Sequence, residues 1–248
     1  MNTLTPSNTA LIVGAGDSLG SALAKRFARE GMHVCVARRN VELLAPLVEE
    51  IRGAGGSIQA FGCDARKEDQ VVSLFERIEK EIGPIGIVVF NIGANVQFSI
   101  RETTAQKYYK VWEMACFSGF LTGREAARHM APRGHGTIFF TGATASIRGA
   151  EGYAAFAGAK HGLRALAQSM AREFGKQGLH IVHPVIDGPI DTAFVRERFP
   201  ELVAERPADG LLAPDDIADA YWFLHRQKRS AWTFELDIRP FLEPISNF

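Results

Sequence analysis

Short apolar runs alternate with longer amphipathic segments along the whole chain, and this alternation limits the possible folds most strongly. The runs are rich in β-branched residues, as buried strands are, and the segments between them space their apolar residues as helices do. The alternation predicts an α/β fold, a doubly wound parallel seven-stranded sheet with helices on both faces. The predicted strands are Ala10–Val13, His33–Ala37, Ile58–Gly62, Ile85–Phe90, Thr137–Thr141, His180–Ile186 and Trp232–Ile238, and the predicted helices lie near Ser18–Glu30, Val41–Gly53, Lys67–Ile82, Thr104–Met130, Gly152–Gly175 and Pro214–His225.

Charge and cysteine content narrow the kinds of partner to expect. The 28 Lys and Arg residues balance 28 Asp and Glu residues, so no overall field attracts nucleic acid or an anionic membrane. We therefore expect a small-molecule ligand. The cysteines Cys35, Cys63 and Cys116 are odd in number and lack paired spacing, which argues against disulfides and against a metal site and favours a reducing cytoplasm.

The length and the ends of the sequence bear on its organisation. A chain of 248 residues without repeats or low-complexity tracts is expected to form a single domain over residues 1–248. Met1–Ala10 lacks the features of an export signal, and no run approaches the roughly 18 apolar residues of a membrane span, so we expect neither export nor an anchor. The charged stretch Thr192–Ala213 (192–213) contains Pro200 and Pro207 and is predicted to be irregular, either a lid over a site or a surface loop.

A glycine-rich turn directly follows the first predicted strand and opens a helix. It reads Gly14-Ala15-Gly16-Asp17-Ser18-Leu19-Gly20. Glycines let the backbone turn sharply and approach a pyrophosphate, while the helix N-terminus offers free N–H groups and partial positive charge. Strand, turn and helix in this order predict a Rossmann-type dinucleotide site formed by Gly14, Ser18, Leu19 and Gly20.

This turn resembles that of the short-chain dehydrogenase/reductase family, which runs Thr-Gly-x-x-x-Gly-x-Gly. The matching positions are Val13, Gly14, Ser18 and Gly20. Ser18 replaces the middle glycine, which crowds the pyrophosphate by one hydroxymethyl group but offers it a hydrogen bond. The resemblance extends from Ala10 to about Pro240 and implies an oxidoreductase that uses a nicotinamide cofactor.

The residues after the second strand bear on the choice of cofactor. An acidic residue there would hold the ribose 2′-hydroxyl of NAD, whereas this chain has Arg38 and Arg39, whose guanidinium groups suit a 2′-phosphate. Asp17 argues the other way, because NADP-preferring relatives often have a basic residue at that point. The balance favours NADP(H) over NAD(H).

Further cofactor contacts follow from the resemblance. Asp64 matches the residue that meets the adenine, and Thr192, after Gly188, matches the residue that meets the nicotinamide carboxamide. Asn91 and Gly93 correspond to the family's Asn-Asn-Ala-Gly segment beside the cofactor. For Asn91, a structural role and a binding role both remain open.

The expected catalytic residues are mostly missing. Lys160 matches the family lysine, but the general acid/base tyrosine four residues earlier is Phe156, the carbonyl-orienting serine is Ala143 and the supporting asparagine is Cys116. Cys116 is interpreted as a buried small apolar residue rather than a reactive thiol. Losing a general acid/base typically costs about 10²–10⁴ in rate, so ordinary alcohol/carbonyl interconversion is expected to be slow or absent.

Several polar neighbours are candidate substitutes. Tyr153 lies three residues before Phe156 and is either catalytic or part of the pocket wall, although it is ~10 Å from Lys160 along the helix axis. Thr144 offers a hydroxyl that either takes part in catalysis or bonds to nearby backbone, and the same holds for Ser146. Asp187, where the family has proline, is either a proton acceptor or a turn-forming residue.

Three functions are compatible with these residues. The first is an oxidoreductase that works through a non-standard site on an unknown small-molecule substrate. The second is an NADP(H)-binding sensor or inactive oligomer partner without turnover, and the third is a structural protein that binds no dinucleotide. The resemblance also implies a homodimer or homotetramer that pairs through the helices Thr104–Met130 and Gly152–Gly175.

Overall fold

Parallel strands that are covered on both faces are apolar throughout, and the central strands of this chain follow that pattern. In the computed structural model, which describes residues 8–243, Thr9–Val13 and Ile85–Phe90 are buried at every position. Over these residues seven strands, all parallel, form one sheet. They are β1 Thr9–Val13, β2 His33–Arg38, β3 Ser57–Gly62, β4 Ile85–Phe90, β5 Gly136–Phe140, β6 Leu179–Ile186 and β7 Glu235–Ile238.

The order of the strands places a ligand crevice at one edge of the sheet. The order is β3-β2-β1-β4-β5-β6-β7, so β2 and β3 are added on one side of β1 and β4 to β7 on the other, and the strand order reverses between β1 and β4. Val13 at the end of β1 pairs with Ala37 of β2 and with Phe90 of β4. Ligands of open α/β sheets bind outside the carboxyl ends of the strands at such a reversal, and here Gly14 and Asn91 are the first residues beyond it.

Helices cover both faces and complete two buried layers. One layer includes Phe27 and Tyr221, and the other includes Phe75 and Phe140. The predicted doubly wound seven-stranded sheet is therefore confirmed. The helices are α1 Leu19–Arg29, α2 Ala45–Gly53, α3 Glu68–Glu81, α4 Ala105–Trp112, α5 Ser118–Met130, α6 Ala154–Phe174, α7 Ala193–Arg198, α8 Pro200–Ala204 and α9 Pro214–His225.

The predicted long helix Thr104–Met130 is interrupted. A π-helical segment, Glu113–Phe117, lies between α4 and α5. The Ser118 hydroxyl donates to the Met114 carbonyl oxygen at 2.6 Å, a side-chain bond that competes with the regular helical pattern. The wide turn carries Cys116.

The predicted final strand Trp232–Ile238 is too long at its start, because β7 begins at Glu235. The Trp232 ring stacks on His180 with 4.7 Å between ring centroids. The backbone N–H of Thr233 donates to the Gln227 side chain at 2.8 Å. Trp232 and Thr233 are therefore held by side-chain contacts rather than by strand pairing.

The stretch Thr192–Ala213 is not irregular throughout, contrary to the prediction. It contains α7 and α8, and the isolated bridge between Ile190 and Leu212 joins its two ends. Thr192 caps α7 by accepting a hydrogen bond from the Val195 N–H at 3.0 Å.

Acid is expected to destabilise the fold through a histidine at the amino-terminal edge of the sheet. His225 Nδ1 lies 2.9 Å from the Thr137 hydroxyl, and burial, helped by Arg226 and His180, lowers the pKa of His225 to about 4. The folded state thus favours the neutral ring. The stability this contributes is complete above the unfolded pKa of about 6.5 and is lost as the pH falls towards 4.

We expect the native protein to lose about 3 kcal/mol of unfolding free energy from this group between pH 7.5 and 4. Urea unfolding at several pH values between 4 and 7.5 measures the slope of the unfolding free energy against pH. His225→Gln should flatten it, whereas His161→Gln, a change at an exposed position, should not. An unchanged slope in His225→Gln would contradict the assignment.

Candidate active site

Two glycines of the predicted pyrophosphate turn are required by the backbone. Gly14 has a φ of +92°, and a Cβ there would lie 2.7 Å from Ile92 Cγ1 and 2.9 Å from the Asn91 carbonyl carbon. A Cβ at Gly20 would lie 2.7 Å from the Cα of Ala15. A Cβ at Gly16 would meet nothing within 4 Å. The first two glycines therefore permit close packing, and Gly16 leaves its side of the turn open.

The start of α1 carries a buried polar atom without a partner. The Ser18 hydroxyl oxygen is buried and has no hydrogen-bond partner among the described residues, and it does not cap the helix. The side chain of Leu19 packs into the core, so its backbone is the part that faces the turn. A helix N-terminus with an unused hydroxyl suits a phosphate oxygen.

A cleft of about 630 Å³ opens at the carboxyl ends of β1, β2 and β4. Residues predicted for cofactor binding gather in its wall, namely Gly14, Arg38, Arg39, Asp64, Asn91 and Gly93. The other residues predicted to bind the cofactor lie outside the wall of this cleft, namely Ser18, Leu19, Gly20, Lys160, Gly188 and Thr192. The predicted contacts to the adenosine half of a dinucleotide are thus brought together.

Arg38 is paired across the mouth of the cleft. Its Nη1 lies 3.3 Å from Asp17 Oδ1, and the Asp17 side chain is almost fully exposed. An exposed ion pair of this kind contributes roughly 0–1 kcal/mol to stability. A bound phosphate could therefore replace Asp17 as the partner of Arg38 at a small cost in free energy. Arg39 is exposed.

The Asp64 carboxylate is held by a neighbouring guanidinium. Arg66 donates from Nε to Oδ1 at 2.9 Å and from Nη2 to Oδ2 at 2.6 Å, and these bonds lower the pKa of Asp64. The backbone N–H of Asp64 donates to Gln70 at 2.8 Å. The residue predicted to meet the adenine is thereby fixed in orientation.

Asn91 supports the glycine turn. Its N–H donates to the Val13 carbonyl oxygen at 2.8 Å, and its Nδ2 donates to the Gly14 carbonyl oxygen at 3.2 Å. The structural role left open by the sequence is therefore present.

Lys160 is buried, being 3% exposed. Its Nζ donates to the carbonyl oxygens of Thr141 at 2.7 Å and Ile92 at 3.3 Å, at the ends of β5 and β4. Burial lowers the pKa of Lys160 to about 8. Its ammonium group lies 6.0 Å from the centroid of the Phe156 ring.

The positions where the family has polar catalytic groups form an apolar cluster. Phe156 is 7% exposed and belongs with Cys116 to this cluster, against which Ala143 and Tyr153 pack. Burial raises the pKa of the Cys116 thiol, in keeping with a buried apolar role. Tyr153 lies at the N-terminus of α6 on the cluster surface. The other buried members are Ala94, Val111, Ala115, Ala145, Ala155, Ala157 and Ala159.

Thr144 and Asp187, named separately from the sequence, are in direct contact. The Thr144 hydroxyl donates to Asp187 Oδ1 at 2.5 Å, so it does not simply bond to nearby backbone. Asp187 Oδ2 lies 3.2 Å from the guanidinium of Arg239. These side-chain contacts reach distant segments, and the two interpretations of Asp187 stay predictions. Ser146, by contrast, accepts a bond from the Ala143 N–H at 3.1 Å.

Arg239 was missed by the sequence reasoning. It lies just beyond β7, and the only local signal for it is its pairing with Asp237 two residues earlier. Nearby, Gly188 has a φ of +154°, and a Cβ there would lie 2.8 Å from Pro240 Cδ, so the end of β6 packs closely on the chain after β7.

Residues 8–243 contain no group of three or more His, Cys, Asp or Glu side chains arranged to hold a metal ion. Within the same residues no helix has the length and apolar character needed to cross a membrane.

Comparisons with known proteins agree with this geometry. The model of the short chain dehydrogenase family matches residues 8–202. A 3beta-hydroxysteroid dehydrogenase of Mediterraneibacter gnavus is 29% identical over 202 residues, 79% of this chain and 73% of that protein. The crystal structure of a short-chain dehydrogenase from Rhodopseudomonas palustris is 48% identical, covers 95% of this chain and 100% of its own, and has a TM-score of 0.81.

A metagenomic short-chain oxidoreductase crystallised with NADP shares the fold at 22% identity, with a TM-score of 0.82 over 95% of this chain and 98% of its own. The family match covers most of the sheet and its helices, including the glycine turn and Lys160. The chain belongs to the short-chain dehydrogenase family.

Proposed function

We propose that this chain is an NADP(H)-dependent oxidoreductase with a non-standard active site. The observation that carries the proposal is the turn at Gly14–Gly20, where the buried Ser18 hydroxyl has no hydrogen-bond partner within residues 8–243 and Gly16, two residues earlier, leaves open space. A bound nicotinamide dinucleotide would supply hydride transfer.

The chain's own residues divide the work of holding the cofactor. The backbone at Ser18, Leu19 and Gly20 would bind the pyrophosphate, and Arg38 and Arg39 the 2′-phosphate. In addition, Asp64 would meet the adenine, Asn91 and Gly93 would support the cofactor's edge of the sheet, Lys160 would hold the nicotinamide ribose, and Gly188 and Thr192 would face the carboxamide.

The site also needs groups that orient substrate and move a proton. The apolar cluster around Phe156 would exclude water from the reacting atoms. Tyr153 would form part of the pocket wall. Thr144 is the hydroxyl best suited to act in catalysis, because the Asp187 carboxylate accepts a hydrogen bond from it. The segment 192–213 would serve as a lid.

A titration with NADPH and NADH tests the proposal. We expect NADPH to stabilise the protein more, with about 2.7 kcal/mol gained at 100 times Kd, equivalent to a rise in Tm of roughly 5–10 °C. Arg38→Ala with Arg39→Ala should weaken NADPH binding about 10–100-fold and leave NADH nearly unaffected. Arg172→Ala, on exposed α6 surface, is the matched control.

The outcomes separate the remaining functions. Binding of neither cofactor would contradict the oxidoreductase and leave a structural protein. Tight NADPH binding without turnover of any ketone or alcohol would favour a second candidate, a non-catalytic NADP(H) sensor or oligomer partner. That candidate is supported by the loss of polar groups at Ala143, Phe156 and Cys116.

We also propose that two copies pair through α4 and α5. A row of aromatic rings, Tyr109, Trp112, Phe117 and Phe120, follows this surface with 5.7–6.1 Å between successive centroids. Tyr109 is 56% and Phe120 39% exposed, and exposed apolar patches of this kind often mark interfaces. A monomeric mass in solution would contradict the pairing.

A reducing compartment such as the cytoplasm is proposed as the place of action. The support is that Cys35, Cys63 and Cys116 are free and buried. Detection of a disulfide in protein isolated from its native cells would contradict this proposal.

A further inference from the structure

We propose that Thr144 and Asp187 form the proton-accepting pair of this site and that the pair serves the oxidation of apolar secondary alcohols. The inference rests on the proposed NADP(H)-dependent function and assigns the proton transfer that Phe156 cannot perform. It also gives the site a preferred substrate class.

The pair lies at the ligand-binding edge of the sheet. Thr144 begins the short 3₁₀ turn that follows β5, and Asp187 directly follows β6. β5 and β6 are neighbouring parallel strands, so both residues stand at the carboxyl edge where α/β proteins bind ligands. Thr144 is the next residue after Ala143, which occupies the position of the family's serine.

The contact between the two side chains has the geometry of a strong hydrogen bond. The distance of 2.5 Å from the Thr144 hydroxyl to Asp187 Oδ1 is in the range of bonds between a hydroxyl and a carboxylate. Such a bond directs the hydroxyl proton at the carboxylate and leaves the threonine oxygen's lone pairs to accept another proton. The Thr144 residue is only half-buried.

The Asp187 carboxylate is buried and has two partners from other parts of the chain. Asp187 is 1% exposed, and a carboxylate that is buried without compensation is strongly destabilising. The guanidinium of Arg239, 3.2 Å from Oδ2, and the Thr144 bond offset the cost of burying it. Because the Thr144 hydroxyl donates to Oδ1, a proton that an alcohol gives to the threonine oxygen has a route to the carboxylate.

The walls beside the pair select the substrate. Ala143 and Tyr153 pack on the cluster that contains Phe156 and Cys116, and these side chains present mainly carbon and sulfur atoms. A substrate with an apolar body on either side of its hydroxyl group matches these walls, whereas a polyol would leave buried hydroxyls without partners.

The proposed step balances with oxidised cofactor as co-reactant. The alcohol's O–H proton moves to Thr144 Oγ1 as the threonine's own proton moves to Asp187 Oδ1. The C–H bond of the same carbon gives its electron pair and hydrogen, as hydride, to NADP⁺, and the C–O single bond becomes a carbonyl. The proton then returns from Asp187 through the Thr144 hydroxyl to water, so one proton leaves for each alcohol oxidised.

The test uses the full chain with NADP⁺ and two probe alcohols, 1-phenylethanol and cyclohexanol. Thr144→Val and Asp187→Asn keep side-chain shape and remove the relay, and each is expected to lower kcat at least about 100-fold. The Kd for NADP⁺ should stay within about threefold of the native value, as for a side chain that does not contact the cofactor. Thr144→Ser keeps a hydroxyl and should retain activity. Thr122→Val removes a buried hydroxyl bonded within α5 and is the matched control.

A second readout does not depend on turnover. The short bond should give a slowly exchanging hydroxyl proton resonance in the cofactor-free protein, absent from both relay variants and shifted when NADP⁺ is added. If Asp187→Asn fails to fold, Thr144→Val carries the test.

The possible results are distinguishable. Failure of the native chain to bind NADP⁺ overturns the proposed function, and the relay with it. Cofactor binding with full activity in Thr144→Val overturns the relay alone and leaves the Asp187 contacts as a structural brace to Arg239. Binding without oxidation of either alcohol, or a hydroxyl resonance that NADP⁺ does not move, also overturns the relay.

Discussion

Replacing Gly14 by alanine is expected to lower the free energy of unfolding by about 3 kcal/mol and to abolish NADPH binding. The backbone at Gly14 has a φ of +92°, which costs an L-residue roughly 1–2 kcal/mol. The added Cβ would also lie 2.9 Å from the Asn91 carbonyl carbon, and backbone cannot move aside as a side chain can. Urea unfolding and NADPH fluorescence measure the two effects.

Gly16 provides a matched control two residues away. A Cβ at Gly16 meets nothing within 4 Å, and its φ is outside the left-handed region. Gly16→Ala should therefore keep its stability within about 0.5 kcal/mol. Because Gly16 lines the cleft, the added methyl group should still weaken NADPH binding. Equal stability of Gly14→Ala and the native chain would show that the turn is not built as described.

Phe156→Tyr combined with Ala143→Ser is expected to raise the rate of ketone reduction by NADPH about 10²–10⁴-fold. The native site has Phe156 where the family has a tyrosine, so it lacks that phenol as a proton donor to a developing alkoxide. A tyrosine hydroxyl at position 156 would supply a proton donor. The Lys160 ammonium group, 6.0 Å from the present ring centroid, would stabilise the phenolate that remains after the proton is donated. The measurement is NADPH consumption with aliphatic and aromatic ketones.

The two single variants are the controls. Ala143→Ser alone adds an orienting hydroxyl without a donor, and Phe156→Tyr alone adds a donor without the orienting group. Each is expected to gain less than the combination. If the double variant binds NADPH like the native chain and reduces no ketone faster, the missing polar groups are not what limits reduction.

The sheet and the glycine turn could be predicted because their signals are local. Each strand is one short apolar run, and Gly14 to Gly20 stand in seven consecutive positions between a strand and a helix. α7 and α8 could not be found by periodicity, since six and five residues are too few to show it. Their start signals, a capping Thr192 and Pro200 at the first helical position, were nevertheless present.

The candidate site was predictable only in part. The sequence pointed to Thr144 and Asp187 one at a time, but their contact depends on β5 and β6 being neighbours. Arg239 joins them because β7 lies on the far side of β6, a relation between residues more than fifty positions apart. Likewise, the burial of the Ser18 hydroxyl depends on packing at the start of α1, which spacing alone does not encode.

The π-helical segment Glu113–Phe117 has a consequence for how this helix tolerates changes in length. A π turn accommodates one residue more than an α turn, so it amounts to a single inserted residue absorbed within one turn. Deleting one residue there would restore a regular helix and leave the faces of α4 and α5 oriented as they are. A deletion elsewhere in α4 or α5 would instead rotate one part against the other by about 100°. A change of length by one residue can therefore be absorbed within Glu113–Phe117 without rotating α4 against α5.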